Sequence, residues 1–355
     1  MEQDKKGNQQ KFGWLCSYTP VELLTAGGMV PMRLDAGNLL LQKPNPHIYQ
    51  LICPYIRAVF DVAQKDLFGP LDGVLFMKCC DGMLRLYDLW KTHLPSQKSY
   101  VLPLPKVQTP EAEEYFAEAM RRFAREMSRD QGVPITEDAL HQAIGEANRF
   151  RSAVQKLYHL RFMNPLSLSY FALQLRIREW LSTDPAQALP LVERELKALK
   201  GKPDQGKPGA RVLISSSTLD QLEIIKIIEE AGITIVADDL CSGARHFDHM
   251  VSENGDPYLS LAKRYLNRWP CPRMQAGPSH IQRLLQEVQG ADANGIIHVG
   301  LKYCDQSGYD LPRLQTWFRD RRIPFLSLEN DYTVSGLGQL KVRIEAFAEI
   351  LKGEF

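Results

Sequence analysis

Seven cysteines carry most of the chemistry this 355-residue chain has to offer: Cys16, Cys53, Cys79, Cys80, Cys241, Cys271 and Cys304. A thiolate ligates soft metals, carries redox chemistry or attacks an electrophile. The number is odd and the spacings are long, so a disulfide framework of the secreted kind is not expected. No CxxC pair occurs, which removes zinc ribbons and thioredoxin-like motifs, and the close ferredoxin spacing is absent. Two readings remain from the residues alone. The thiols are scattered small buried hydrophobes, or they form a metal site assembled from distant parts of the chain.

Other constellations carry less. Cys241, His246 and His249 could be offered as a zinc set, but two histidines within Arg245-His246-Phe247-Asp248-His249-Met250 read better as a solvated or core pair. Ser215 to Thr218 after an apolar run could be a phosphate-binding turn at a helix start. Capping by Ser217 or Thr218 explains it equally well. No GxxxxGK[ST] exists, so no Walker-type ATP site is expected. Gly336-Leu337-Gly338 lacks the third glycine of a dinucleotide fingerprint, and HExxH is absent.

Composition narrows the class. Lys plus Arg number 43 against 42 Asp plus Glu, a net charge of +1, with 44% hydrophobic residues. That is an ordinary globular balance, long enough for two cores. It excludes a charge-driven nucleic-acid or membrane-surface binder. No apolar stretch approaches the ~18 residues that span a bilayer. Met1 to Lys11 has no apolar core of a signal peptide, so a cytosolic, cytoplasmic location is expected.

The elements that must position these thiols alternate. Thr19, Pro20 and Glu22 read as a capped helix start, stopped at Gly27 and Gly28. Met29 to Leu34 is extended, and His47 to Asp61 has helical spacing with Cys53 inside it. Leu71 to Met77 is a buried strand ending at Lys78, Cys79, Cys80 and Asp81, followed by a helix-like stretch and a strand at Ser99 to Leu102. Thr109 to about Lys200 is helical throughout, and Gly201 to Ala210 is a Gly/Pro/Lys-rich linker. The rhythm then resumes, with strands at 211–215, 233–237, 295–300 and 324–328 and helices at 219–230, 278–288, 311–320 and 339–351. The expected fold class is α/β: two small doubly wound parallel-sheet, Rossmann-like domains with a helical insertion. The expected division is a disordered tail over 1–11, an N-terminal α/β domain over 12–108, a helical segment over 109–200, the linker over 201–210 and a C-terminal α/β domain over 211–355.

One internal echo supports two related halves. Lys78-Cys79-Cys80-Asp81 and Lys302-Tyr303-Cys304-Asp305 both follow an apolar strand, which aligns Cys80 with Cys304. Ligands of open parallel sheets bind beyond the carboxyl ends of the strands. Cys79 and Cys80, Cys241 and Cys304 all follow such ends, so thiols from both halves could meet in a cleft between them.

Six segments, in order, resemble the 2-hydroxyacyl-CoA dehydratase family, which includes benzoyl-CoA reductase subunits. They are CSYTPVELLTAGGMVPMRL (16–34), LICPYIRAVF (51–60), KCCDGMLRLYDLW (78–90), ADDLCSGARHF (237–247), LKYCDQSGYDLPRL (301–314) and LSLENDYTVSGLGQLKVRIEAFAEIL (326–351). The resemblance implies a four-iron, four-sulfur (4Fe-4S) cluster held by Cys53, Cys80 and Cys304, with Cys79 as a possible substitute for Cys80. Three thiolates leave one iron free to act as a Lewis acid. It also implies dehydration of a 2-hydroxyacyl-CoA to a 2-enoyl-CoA through a ketyl radical. The electron comes from a separate ATP-dependent iron–sulfur activator, and the enzyme is an oxygen-sensitive heterodimer with a related second subunit. Neither nucleic acid nor membrane is an expected partner. Ser17 and Glu22 are candidates for acid–base work, against structural readings as a strand-end hydroxyl and a capping-box carboxylate. Glu329 and Asp331 read as hydrogen-bonding groups after the last strand, and Gln339 and Arg343 as a helix-surface pair.

Two alternatives follow. A double-cubane (8Fe-9S) reductase of the same superfamily would use Cys53, Cys79, Cys80, Cys241, Cys271 and Cys304. That branch carries a further cysteine between the Cys-Pro and Cys-Asp segments, which is absent between Cys53 and Cys79 here. A cluster-free scaffold subunit is the other, because fold does not imply function.

Overall fold

The computed structural model describes residues 9–37, 39–41, 43–203, 206, 208–275 and 279–353. Its first half runs β1 (Lys11–Trp14), α1 (Val21–Ala26), β2 (Val30–Arg33), α2 (Pro54–Gln64), β3 (Gly73–Lys78), α3 (Asp81–His93) and β4 (Lys98–Pro103). Four helices follow: α4 (Pro110–Gln131), α5 (Glu137–Met163), α6 (Tyr170–Trp180) and α7 (Pro185–Lys200). The second half runs β5 (Ala210–Ser215), α8 (Leu222–Glu230), β6 (Ile233–Asp239), α9 (Ala244–Phe247), α10 (Pro257–Asn267), α11 (Ser279–Gly290), β7 (Gly295–Leu301), α12 (Asp305–Arg319), β8 (Phe325–Asn330) and α13 (Val334–Lys352).

Both sheets are parallel throughout and share one topology: β2-β1-β3-β4 in the first and β6-β5-β7-β8 in the second. Parallel strands need helices on both faces, which is why β7 is buried at every residue and β3 at all but its last. In this order the chain leaves the first strand toward one edge and returns beside it toward the other. The crevice therefore opens between the two central strands, at the topological switch point. The echoed Lys-x-Cys-Asp segments close β3 and β7, the equivalent strand of each sheet.

The two halves interlock. One core joins the first sheet to α4, the start of α5 and residues of α10, including Tyr258, Leu261 and Tyr265. The other joins the second sheet to the rest of α5, α6 and α7, and takes in Trp14 and Val21 from the first half. Each core thus draws on both sides of segment 201–210, of which 204, 205 and 207 lie outside the described residues.

Several elements differ from the sequence reading, each for a local reason. Of the tail expected over 1–11, residues 1–8 lie outside the described ones, and Lys11 opens β1. The helix expected from His47 starts only at Pro54, so Cys53 is its cap rather than an interior residue. Proline suits the first helical turn, where its missing N–H is not needed, and restricts the residue before it to extended backbone. The helix expected from Leu311 begins directly after Cys304 and runs through Pro312. Ser217 and Thr218 do not cap α8, which starts later, at Leu222. Asp220 and Gln221 turn instead to the backbone of Ala36 and Leu39 in the other half. The last helix starts at Val334, where Thr333 accepts from the Gly336 N–H at 3.1 Å. Pro278, expected to open a helix, lies outside the described residues.

Glu22 does not complete a capping box. α1 has no side-chain cap, and the Glu22 carboxylate is fully buried against the Arg151 guanidinium of α5, with Tyr265 donating at 2.8 Å. Burial pushes this carboxyl up, but Arg151 and Arg264 outweigh it and hold it below the usual range. A depressed pKa means the pair stabilises the fold above the unfolded value of about 4.3 and that this contribution is lost as pH falls below it. Removing one partner of a buried pair leaves an uncompensated charge. Glu22→Ala is therefore expected to lower the unfolding free energy by about 3–5 kcal/mol at pH 7. A urea titration giving a change below about 1 kcal/mol, the range of exposed pairs, would contradict this.

Candidate active site: a thiol-lined cavity between the sheets

Cys53, Cys80 and Cys304 are the N-caps of α2, α3 and α12. Each cap carbonyl accepts a bond from the following turn, from Ile56 at 3.0 Å, Leu84 at 3.3 Å and Gly308 at 2.9 Å. The Met83 N–H also donates to the Cys80 sulfur at 3.4 Å. A helix N-terminus presents unpaired N–H groups and a partial positive charge, so three such ends favour negative charge on the sulfur beside them. Tyr303, just before Cys304, has a φ of 57°, the left-handed region that a tyrosine adopts only under constraint.

The three caps face one cavity of about 420 Å³. All seven cysteines line it. Cys16 arrives after β1, Cys79 and Cys80 after β3, Cys241 after β6 and Cys304 after β7. Cys53 comes from the approach to α2 and Cys271 from the segment after α10. Leu15, Ile52, Ile56, Leu104 and Leu301 supply apolar wall, and Tyr49, Leu51 and Tyr303 stand exposed at its edge.

The sulfurs are electrostatically unequal. Cys79 has the Cys16 and Cys80 side chains on either side of it, and these neighbours, with burial, raise its pKa well above the usual thiol value. Cys80 is lowered to about 6, first by that contact and then, against burial, by Arg273, the Met83 N–H and Lys106. Cys16 falls to about 7 by the same contact with Cys79. Burial and the nearby Cys304 push Cys53 up to about 12.

Cations and donors fix the rim. Arg273 donates to the Cys304 sulfur and Arg33 to the Cys241 sulfur, each at 3.2 Å. The Tyr18 hydroxyl accepts from the Cys271 N–H at 3.1 Å, and Lys106 donates to the Cys79 carbonyl. Ser17 lies in the lining, but its hydroxyl is engaged by Arg268 at 2.7 Å. Behind α12 runs a buried polar chain. Ser307 meets His298 at 3.3 Å, His298 meets Ser215 at 3.2 Å, and Ser215 donates to Asp239 at 3.0 Å. His280 then bridges Asp239 and Asp310, at 3.1 and 3.2 Å. Both ends of this chain sit on α12, so it ties the helix capped by Cys304 to the sheet.

The remaining candidates stand apart from the cavity. Glu22 is in the Arg151 pair, and Asp331 accepts from the Thr333 N–H at 3.0 Å. Arg343 donates to the Ser327 carbonyl, and Glu329 lies in a neighbouring recess that shares Cys304 with the main cavity. His246 is buried and stacked on Trp14, whereas His249 is exposed beside Asp248. Arg273 lines the site without any motif in the sequence that marks it, and Cys16, Tyr18 and Arg33, which lie in the segment 16–34, join or brace it without a role read for them from the sequence.

Among the described residues, no three His, Cys, Asp or Glu side chains converge closely enough to hold a single metal ion. The thiols surround a volume instead. A sulfur-rich lining of this kind could hold a soft metal group.

Two interlocked parallel-sheet halves with thiols at their facing switch points define a class of protein: a two-domain α/β chain built round a sulfur-lined crevice. Residues 16–351 match the family described as 2-hydroxyglutaryl-CoA dehydratase, D-component, and the chain belongs to it. It is similar to the (R)-phenyllactyl-CoA dehydratase beta subunit of Clostridium sporogenes, 24% identical over 99% of this chain and 94% of that one. It is likewise similar to a benzoyl-CoA reductase subunit of Thauera aromatica, 24% identical over 94% and 89%. The beta subunit of (R)-2-hydroxyglutaryl-CoA dehydratase from Acidaminococcus fermentans is also 24% identical, over 98% and 94%. The chain is a dehydratase-family enzyme subunit. No described helix is long and apolar enough to cross a membrane.

The thiolate is the nucleophile, so labelling follows its abundance. In iron-free reduced protein at pH 7, iodoacetamide is expected to modify Cys80 at least about tenfold faster than Cys53. The Cys80 rate should fall as pH is taken below about 6. Peptide mapping over a time course measures this, and equal rates at the two sites would contradict the unequal sulfurs.

Proposed function

We propose that this chain is the iron–sulfur subunit of an enzyme acting on an acyl-CoA thioester. The favoured reaction is dehydration of a 2-hydroxyacyl-CoA to a 2-enoyl-CoA. The observation that carries this reading is the gathering of thiols from both halves round one cavity, in a chain whose family and relatives are named for that chemistry. Cys53, Cys80 and Cys304 would hold the group, with Cys79 able to stand in for Cys80. When bound, a 4Fe-4S cluster on three thiolates supplies a low-potential electron relay and one iron without a protein ligand.

The chain's own residues prepare the place. Three helix N-termini and the Arg273 guanidinium favour negative charge on sulfur. The buried polar chain behind α12 keeps Cys304 in register, and the apolar wall limits water. The reaction leaves substrate and product at the same overall oxidation level, so the electron is needed only as a recyclable trigger. The chain has no nucleotide-binding motif, which fits an electron supplied by a separate ATP-dependent activator. A related second subunit would complete a heterodimer, and the assembly would be cytoplasmic and oxygen-sensitive.

A second reading rests on one observation: the cavity has more thiols than a three-cysteine cluster uses. Cys79, Cys241 and Cys271, with the three caps, would make the six ligands of a double-cubane 8Fe-9S cluster in an ATP-dependent reductase. Iron and acid-labile sulfide per chain, on protein purified without oxygen, separate the two. About four irons, lost in Cys53→Ser, Cys80→Ser and Cys304→Ser but kept in Cys241→Ser and Cys271→Ser, is the expected result. About eight irons, lost in all five variants, would establish the larger cluster, and none would leave a scaffold.

A further inference from the structure

Two guanidiniums reach sulfur here: Arg33, which also donates to the Cys241 carbonyl and lies over Trp14, and Arg273, which lines the cavity itself. Arg245 pairs with Asp239, Arg85 with Asp81 and Asp88, and Arg268 is spent on Ser17 and the Arg245 carbonyl. Arg273 has no carboxylate within ion-pair distance among the described residues. Its strongest electrostatic neighbours are Cys80, Cys304, Cys271 and Cys79, and it donates to the Cys304 sulfur at 3.2 Å. A half-buried cation whose hydrogen bond goes to sulfur favours negative charge on that centre.

Its placement is built. Arg273 sits in a turn closed by the Met274 N–H on the Cys271 carbonyl at 2.9 Å. The turn is pinned on one side by the Cys271 N–H on the Tyr18 hydroxyl. On the other, Gln275 donates to the Lys106 carbonyl at 2.7 Å, while the Lys106 side chain holds the carbonyl of Cys79. The turn belongs to the second half and Lys106 to the first. The guanidinium is therefore fixed over the sulfurs that close β3 and β7 rather than swinging from a free loop.

We propose that Arg273 is the fixed counter-cation of the thiol centre, a positioning residue that raises the reduction potential of a cluster held by Cys80 and Cys304. This rests on the cluster proposed above. Adding one electron makes the centre more negative by one charge. A fixed cation at hydrogen-bond distance favours that reduced state more than the oxidised one. Lysine would keep the charge but not the planar fork, and glutamine would keep neither.

The test compares the full-length parent with Arg273→Gln and Arg273→Lys, first confirming equal melting temperatures. In iron-loaded protein, a potentiometric titration followed by electron paramagnetic resonance should place the glutamine variant lower. At a set potential its reduced fraction falls about tenfold, which is about 59 mV for one electron. The lysine variant should lie nearer the parent. An unchanged potential in a folded, iron-loaded glutamine variant would overturn the proposal, and a parent that binds no iron would retire the cluster on which it rests.

Discussion

A cysteine that ends a parallel strand and caps the next helix stands where the backbone runs out of partners. The strand's ladder has stopped and the first N–H groups of the helix have no acceptor. A sulfur placed there meets positive potential from the helix and lies at the rim of the sheet, where ligands of this fold class bind. Cys80 and Cys304 occupy this position after β3 and β7, and Cys53 caps α2 beside them. The remainder of the structure keeps these ends facing one another.

That facing arrangement is secured by exchange between the halves. α5, α6 and α7 cover the second sheet, and α10 returns to pack with α4 on the first. Residues just after α10 lie along the cavity, which is how Cys271 and Arg273 reach the sulfurs. The Glu22–Arg151 pair clamps α1 to α5, and the Asp220 side chain accepts from the Ala36 N–H across the halves at 2.7 Å. The cavity is thus a consequence of the interlocking, with walls drawn from segments hundreds of residues apart in the chain.

How much of this the sequence disclosed depends on the range of the interaction concerned. β3, β5, β6, β7 and β8 were legible because a short apolar run bounded by turn residues has few other uses. Cys80 and Cys304 were legible because the same four-residue segment closes equivalent strands. β1 was not read as an element, since Lys-Phe-Gly-Trp offers four residues without a pattern, and Cys16 after it was given no role. Cys53 was misplaced inside a helix because apolar spacing was read ahead of the proline beside it. Arg33 on Cys241 spans 208 residues, and Arg273 lies in an aperiodic turn. Local signals cannot reveal such contacts, because they exist only once the two halves have closed.

Sulfur from both halves lines one cavity, and whether that cavity holds iron is tested directly by anomalous diffraction at the iron edge, from crystals grown without oxygen. Iron density is expected inside the cavity, bounded by Cys53 and Cys80 from the first half and Cys304 from the second. Iron on the surface, or bound by cysteines of one half alone, would contradict this expectation.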